Sequence, residues 1–568
     1  MAKPDKPIRV VVEQQATFDL PYPRAKPVTI SISGSLIYIG TQSGSLMLLS
    51  IDSLSTLRRI VFIRSVSFGF SSLDALILLQ AMQKVVVLCD GSIFIVDQQL
   101  TQPIRALNFP KGVSLIAKRV KSEDTSACTD MLTLSLGGSS ENFSILKKFG
   151  ALKLKAKDKA SQGPEFVSSL NSNGRNDHEN LFVILVGKKF IIAELICEGV
   201  GNDVLMALKE FPCVEDVRTI IWINDSIIAG SSKGYSLFSC VTGNSGVICS
   251  FPDSNVSSLM NLMWKETKVV LLIDNVGVIA DHHGQPVGGS LVFKWIPDSV
   301  LDISSYMAAA KNGIMEIYHQ KKGNCVQSVV FGSDGDVGCM IGGEEYGSGE
   351  MVVVATDSKV ICFRKVAYEE QIKDLLRKKN FNEAISLVEE LEHDGELSKE
   401  RRSFVHAQVG FLLLFELHFE EAVDHFLLSE TMEPSEIFPF IMRDPNRWSL
   451  LVPRNRYWGL HPPPASIEDI VDDGLLSIQR AIFLKKAGVE TTIHEKFLSN
   501  PPTKSELLEV AIKNIIRYLE LSRGKDIAYA VKEGVDTLLV YLYRTLNNVH
   551  DMEKLTSSEN ACLVCRRN

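Results

Sequence analysis

The pattern Leu375-Leu376-x4-Phe381-x-Glu383-Ala384-Ile385-x2-Val388 is written a second time in this chain as Leu413-Leu414-x4-Phe419-x-Glu421-Ala422-Val423-x2-Phe426, at an offset of 38 positions. A period of that length is two helices with their turns, a unit that cannot bury its apolar face alone and gains a core by stacking on copies of itself. The stretch from Tyr368 to Glu430 therefore predicts the start of an α-solenoid. Phe381 with Ile385, and Phe419 with Val423, stand four apart at a helix entrance, as an apolar staple does. Glu383 and Glu421 fall in the first turn, where a carboxylate meets the positive end of the helix dipole. Ala384 and Ala422 leave room for a neighbouring helix.

Downstream the helical period continues. Pro453, Pro462, Pro463 and Pro464 forbid regular helix between Trp448 and Pro464. Ser466 then caps a helix running to Gly488, and Thr503 with Glu506 has the spacing of a capping box opening a helix that runs to Gly524. Val535, Leu538, Leu539, Leu542 and Leu546 make the apolar stripe of the next. Met552-EKLTSSENACLVCRRN opens like a further repeat and stops without a polar capping unit, so the chain is expected to be a truncated or alternative product of a longer solenoid.

Upstream, from Pro27 to Arg364, the period is that of strands. One unit recurs, a β-rich run, a short turn that often holds Gly, and a second run: Leu36-IYIGTQSGSLMLLS, Lys84-VVVLCDGSIFIV, Leu181-FVILVGKKFIIAEL, Asp225-SIIAGSSKGYSLFS, Val269-VLLIDNVGVIA, Tyr306-MAAAKNGIMEIY and Met351-VVVATDSKVICF. Outside one long gap these hairpins are spaced by roughly 40 residues, the length of a four-stranded propeller blade. Two stacked sandwiches are the rival architecture, but neither sandwich nor barrel scales over such a length as radial repetition does. The segment Ile8 to Val12 is available to close the ring beside Cys362. The fold expected is thus β then α: a seven-bladed β-propeller over residues 1–365 and an α-solenoid of clathrin-like helical hairpins over 366–568.

The long gap holds a polar insertion at about 121–180, read as a mobile loop between blades. Within it Met131-LTLSLGGSSENFSILKKF alternates like another hairpin, which leaves an eighth blade open. Lys147, Lys148, Lys153, Lys155, Lys157 and Lys159 form a basic run with two readings, a solvated loop or a contact for acidic lipid or protein.

Composition narrows function. With 60 basic and 68 acidic residues the net charge is -8, which argues against nucleic acid and for protein partners. The 11 cysteines lack a disulfide framework, and Cys89, Cys240 and Cys362 sit in apolar runs, as reduced cytosolic thiols do. The N-terminus has no apolar signal region, and no apolar run reaches the length of a membrane-spanning helix.

Catalytic chemistry is not readable. There is no phosphate loop, no H-E-x-x-H and no nucleophile elbow; Gly40-TQSG belongs to a hairpin turn. Gly342-GEEYGSG lacks the helix a phosphate loop needs and reads as a blade-to-blade loop. Asp281, His282 and His283 carry metal-ligand chemistry, but neighbours on a strand point to opposite faces, so a polar turn is expected. Cys562 and Cys565 form a single C-x-x-C without a second ligand pair. Trp448, Tyr457 and Trp458 have two readings, an aromatic anchor for a partner or packing of the proline-rich link. No catalytic residue, cofactor or metal is therefore expected, and no partner-binding residue is singled out.

The order of parts resembles a known family. A β-region containing Lys111-GVSL, followed by Tyr368-EEQIKDLLRKKNFNEAISLVEEL, Phe415-ELHFEEAVDHFLLSE, Gly534-VDTLLVYLY and Ser558-ENACLV, is similar to the citron-homology endosomal tethering subunits. Within them it resembles the group of vacuolar sorting subunit three and the TGF-beta receptor-associated protein, with the vacuolar sorting subunit thirty-nine group as sister. The resemblance implies a non-enzymatic subunit of a CORVET-like or HOPS complex. Its implied partners are a Rab-type GTPase at the propeller and other tethering-complex subunits at the solenoid, with no nucleic acid. It implies a cytoplasmic protein held peripherally on endosomal, pre-vacuolar or vacuolar membrane through those partners. A receptor- or kinase-associated signalling adaptor is the alternative. An enzyme built on the propeller channel is the third, disfavoured for want of a readable acid, base or metal set.

Overall fold

Runs such as Lys84-Val-Val-Val-Leu-Cys89 are apolar at successive positions rather than at alternate ones, the signature of a strand buried on both faces. In the computed structural model those runs lie between sheets stacked face to face. The structure describes residues 9–21, 26–52, 58–121, 180–197, 203–251, 259–263, 268–345, 349–442, 461–489, 495–524 and 529–557. It divides into two units, Met1–Val366 and Ala367–Asn568.

The N-terminal unit is a β-propeller. Five of its sheets are separate four-stranded antiparallel blades, such as Pro27–Ser33, Leu36–Thr41, Ser45–Asp52 and Arg59–Ser67. The eight remaining strands share one sheet. In it the antiparallel run Val113–Val120, Leu181–Val186, Lys189–Cys197, Asp203–Pro212 joins the run Val217–Ile223, Ser226–Ser231, Gly234–Ser239, Ser245–Ser250. The join is two parallel pairs, Arg119 with Trp222 and Val120 with Ile223. Each of the seven hairpins read from sequence is present, yet because of this join they occupy six sheets.

Burial explains the stacking. Ile37, Ile39, Met47 and Leu49 share one apolar core with Val353, Ala355, Val360 and Cys362 of a neighbouring blade. Tight turns hold the hairpins: Asp90 with Gly91, and Asn312 with Gly313, have positive φ at both central residues, which matches the strand twist and favours Asp-Gly or Asn-Gly.

Two sequence expectations need correction. The polar insertion does not lie between blades. The strands that flank it, Val113–Val120 and Leu181–Val186, pair with each other, so it leaves and re-enters within one sheet. Closure also uses a later strand than Ile8–Val12: Val12–Asp19 pairs antiparallel with Lys359–Lys365 from Val12–Lys365 to Asp19–Lys359. Ahead of it Arg9 is buried and its guanidinium donates to Tyr306 Oη at 3.3 Å. Gln327 clamps the main chain there. Its Oε1 accepts the N–H groups of Val11 and Val12 at 2.7 and 2.9 Å, and its Nε2 donates to the Val12 carbonyl at 2.8 Å.

The second unit is helical: α1 Tyr368–Arg377, α2 Phe381–His393, α3 Lys399–Phe415, α4 Phe419–Leu428, α5 Phe438–Ile441, α6 Ile467–Lys486, α7 Glu495–Ser499, α8 Lys504–Arg523, α9 Tyr529–Thr545 and α10 Val549–Ser557. The repeated sequence folds to a repeated turn. Lys379 and Leu417 adopt φ +59° and +67°. The next N–H bonds back five residues into the preceding helix, Asn380 to Leu375 O and His418 to Leu413 O, each at 2.9 Å. Asn380 and His418 then open α2 and α4 with the same φ and ψ, −91° and 64°. The turn recurs after α9, where Asn547 has φ +55° and Asn548 N–H reaches Tyr543 O at 2.8 Å.

Phe381 and Phe419 are the first helical residues, not the residues before a cap, so they do not form the expected staple; Phe419 is buried in the helical core instead. Glu383 and Glu421 do occupy first turns, and Ala384 and Ala422 are fully buried. Ser466 and Thr503 cap α6 and α8, the latter with Glu506 in a full capping box. Among the described residues no helix is long and apolar enough to cross a membrane.

Candidate interaction surface

Strongly displaced pKa values mark where chemistry is sought first. The clearest pair among the described residues is His406 on α3 and His425 on α4, whose Nδ1 atoms lie 3.0 Å apart. Burial, then His425, then Arg402 push the His406 imidazole down to about 4 against a weaker pull from Glu392. Burial also lowers His425, opposed by Asp424 and Glu421. Two neutral rings joined by one hydrogen bond between packed helices hold the helices together.

The pair has a pH consequence. In the unfolded chain both imidazoles take protons near their ordinary value of about 6.5. In the folded chain His406 resists until about 4. Through that window the unfolded state binds more protons, so stability is full above about pH 6.5 and falls as pH drops toward 4. Thermal midpoints of the helical transition at pH 7.5 and 5 are expected to differ by several degrees, and His406→Phe to shrink the difference. An unchanged difference in that variant would remove the pair as its cause.

The other sequence candidates resolve structurally. Asp281 accepts the N–H groups of His283 and Gln285 at 2.9 and 2.8 Å, so its carboxylate holds a turn on which the His282 and His283 rings lie 3.9 Å apart, tilted by 45°. Among the described residues no three His, Cys, Asp or Glu side chains are grouped to hold a metal ion. In Gly40-TQSG, Gly40 belongs to a strand and Thr41 Oγ1 accepts the Ser45 N–H at 3.0 Å across the turn. Gly342-GEEYGSG is not a blade-to-blade loop: Val337–Glu345 and Gly349–Thr356 pair with each other, so it is a hairpin within one blade. The lysine run from Lys147 to Lys159, the hairpin from Met131, Trp448, Tyr457, Trp458, Cys562 and Cys565 lie outside the described residues. The cysteines from Cys89 to Cys362 within the described residues are free thiols.

What remains is surface. The last strand of one blade, Arg59–Ser67, ends its sheet, and its outer edge is unpaired among the described residues. A bulge opposite Leu48 and Leu49 leaves Ile63 out of register, so three consecutive apolar side chains face solvent: Val61, Phe62 and Ile63, at 47, 42 and 42% exposure. The Phe62 ring stacks on Phe18 of the closing strand, centroids 6.5 Å apart and planes within 11°. Phe70 beyond the strand is fully exposed. Around them Arg59 sits opposite Asp52, and Arg64 Nη1 donates to Leu100 O at 3.0 Å. An apolar centre with a polar rim is the anatomy of a protein-binding patch. Sequence reading passed over it because hairpins were recognised by their buried middle strands.

A second apolar edge runs along Asp203–Pro212, where Val204, Met206 and Leu208 are exposed. Its end is tied down by Lys84, which pairs with Asp203 and lies 3.4 Å from Cys197 Sγ. Burial is the largest single influence on the Asp203 carboxyl and raises it, but the hydrogen bonds from Lys84 and Cys197 and the charges of Lys84 and Arg105 together leave the pKa below the usual carboxylate range.

The profile of the CNH domain matches residues 33–339 of this chain. The chain is 50% identical over 573 residues to Vacuolar sorting protein 3 of Arabidopsis thaliana, covering 98% of this chain and 56% of that protein. It is 21% identical over 346 residues to Vacuolar sorting protein 39 of Arabidopsis thaliana, covering 60% of this chain and 32% of that protein. It is 27% identical over 221 residues to the Transforming growth factor-beta receptor-associated protein 1 homolog of Danio rerio, covering 38% and 21%. The chain thus spans about half the length of Vacuolar sorting protein 3.

Proposed function

Because the chain belongs to the CNH domain family, we propose that it is a non-enzymatic subunit of a CORVET-like endosomal or vacuolar membrane-tethering complex, supporting vesicle tethering, fusion and vacuolar protein transport. In this reading residues 1–365 are a seven-bladed propeller that binds a Rab-type small GTPase in its GTP form. Residues 366–568 are the start of an α-solenoid that joins other subunits, and the protein sits peripherally on the cytoplasmic side of endosomal, pre-vacuolar or vacuolar membrane through those partners. The observation that carries it is the 50% identity to Vacuolar sorting protein 3 across 98% of this chain.

Seven blades are supported by the inner strands, which touch in a closed cycle: Val337–Glu345, Pro27–Ser33, Leu73–Leu79, Val113–Val120, Val217–Ile223, Met260–Met263, Ser299–Ile303 and back to Val337–Glu345. The solenoid is supported by the turn repeated at Lys379, Leu417 and Asn547.

The test is capture of endosomal Rab proteins loaded with a non-hydrolysable GTP analogue or with GDP. Capture of one of them in the GTP form alone is expected; equal or absent capture across the set would sink the reading. The apolar strand edge is the proposed contact, so Phe62→Asp is expected to weaken capture at least tenfold, about 1.4 kcal/mol, with the far-UV dichroism unchanged. The likeness to the receptor-associated homolog favours a second reading, a signalling adaptor, which requires nucleotide-independent binding to a receptor cytoplasmic tail. Likeness to Vacuolar sorting protein 39 keeps a HOPS-type complex as a variant of the first, separable by which subunits co-purify.

A further inference from the structure

The helical unit holds a groove of about 700 Å³ that the GTPase reading does not use. Its walls are the α1–α2 turn, the α3–α4 turn, the middle of α6, and α7. Both repeated turns open into it, because each places its left-handed residue, Lys379 or Leu417, at the same end of a hairpin.

The floor is apolar and rigid. Phe381, Phe415, Leu417, Ile470, Ile478 and Phe497 line it. Leu417 is locked against α6: a Cβ placed on Gly474 would lie 2.5 Å from its side chain, so the α3–α4 turn and α6 meet there without a gap. Phe497 meets the His418 ring edge to face at 5.4 Å.

The rim is acidic. Glu416, Glu421 and Asp473 face Lys379, and Lys379 is already paired with Glu416 at 2.7 Å. Burial keeps His425 from adding positive charge at neutral pH. Among the described residues that line the groove, three carboxylates against one lysine leave a surplus of two negative charges over an aromatic floor.

We propose that this groove docks a basic amphipathic segment of a protein partner, apolar side chains on the floor and Lys or Arg against Glu421 and Asp473. Charge complementarity chooses the occupant. A phosphate, a nucleic acid or an anionic lipid surface meets repulsion at the rim. A bilayer, moreover, takes protruding apolar side chains, whereas these are recessed. The helix-in-groove mode, in which one apolar face of a short helix enters a groove, fits both features. The inference stands apart from the propeller reading, and neither fails with the other.

The test uses the full chain and two fluorescent 14-residue peptides, one of leucine and lysine in a helical amphipathic pattern, the other with glutamate in place of lysine. Anisotropy is read at pH 7.5 in low and physiological salt. The lysine peptide is expected to bind, the glutamate peptide at least tenfold more weakly. Glu421→Lys with Asp473→Lys is expected to lower affinity for the lysine peptide at least tenfold while far-UV dichroism stays unchanged. Glu400→Lys with Glu553→Lys, which matches the charge change away from the groove, is expected to keep it. Should the double rim variant disturb folding, Asp473→Asn alone is expected to weaken binding severalfold. Absence of binding by the lysine peptide, equal binding by the two peptides, or equal loss in rim and control variants would overturn the proposal.

Discussion

Removing residues 1–19 is expected to abolish the cooperative thermal transition of the propeller. Three sets of contacts go with that segment. The strand Val12–Asp19 leaves Lys359–Lys365 as an exposed edge, with Val360, Ile361, Cys362 and Phe363, all buried in the closed ring, beside it. The core that Ala16 shares with Met351, Val353 and Ile37 opens. The buried amide of Gln327 loses the main-chain N–H and C=O groups of Val11 and Val12. Pairing the first and last strands joins the two ends of the ring, and removing the first strand exposes a more apolar inner strand as an edge ready to pair with another chain.

The single change Gln327→Leu isolates the last term. It keeps approximate volume but strands two N–H groups and one carbonyl in a buried site, each costing about 1–3 kcal/mol, so a loss on the order of 3 kcal/mol or more is expected. Differential scanning calorimetry on the full chain measures both variants. An unchanged midpoint after deletion would show that the ring does not depend on its first strand, and an unchanged midpoint for Gln327→Leu would reduce the clamp to a surface contact.

That closure was only partly legible in the sequence, for a physical reason. Strands buried on both faces, such as Leu36–Thr41 or Tyr306–Lys311, must be apolar at successive positions, and the hairpins they build are visible as dense β-branched runs. Outermost strands are half in water. Pro286–Val292 reads Pro-Val-Gly-Gly-Ser-Leu-Val with most residues exposed, and nothing in its composition marks a strand. Val12–Asp19 carries Glu, Gln and Asp for the same reason, so the sequence points to the apolar Ile8–Val12 just before it as the closing segment. The polar insertion was misplaced because its loop composition says nothing about which strands it separates. The apolar edge at Phe62 was invisible, since only a bulge and the end of a sheet expose it.

The helical repeat was legible because its spacing is enforced by contact, and the contact sets the second large effect. Gly410 on α3 faces α4 where the two helices cross: a Cβ there would lie 2.6 Å from the Phe426 ring and 2.9 Å from the Ala422 carbonyl oxygen. In an exposed helix Gly→Ala stabilises by about 1 kcal/mol. Here the sign reverses. A flexible side chain can move aside, but the Ala422 oxygen belongs to the backbone of α4, and shifting it strains the hairpin that buries Phe411, Ala422, Val423 and Phe426. Overpacking of this kind costs about 1–3 kcal/mol per added group. Gly410→Ala is therefore expected to lower the helical transition by about 4–8 °C, the shift for about 2 kcal/mol in a unit of roughly 200 residues, and Gly410→Val by more. Phe426→Leu in the Gly410→Ala background relieves the ring but not the carbonyl, so partial rescue is expected. Complete rescue would assign the constraint to the ring alone, and a rise in midpoint for Gly410→Ala would mean that the helices cross with slack, so that the repeat's small residues answer to helix propensity and not to packing.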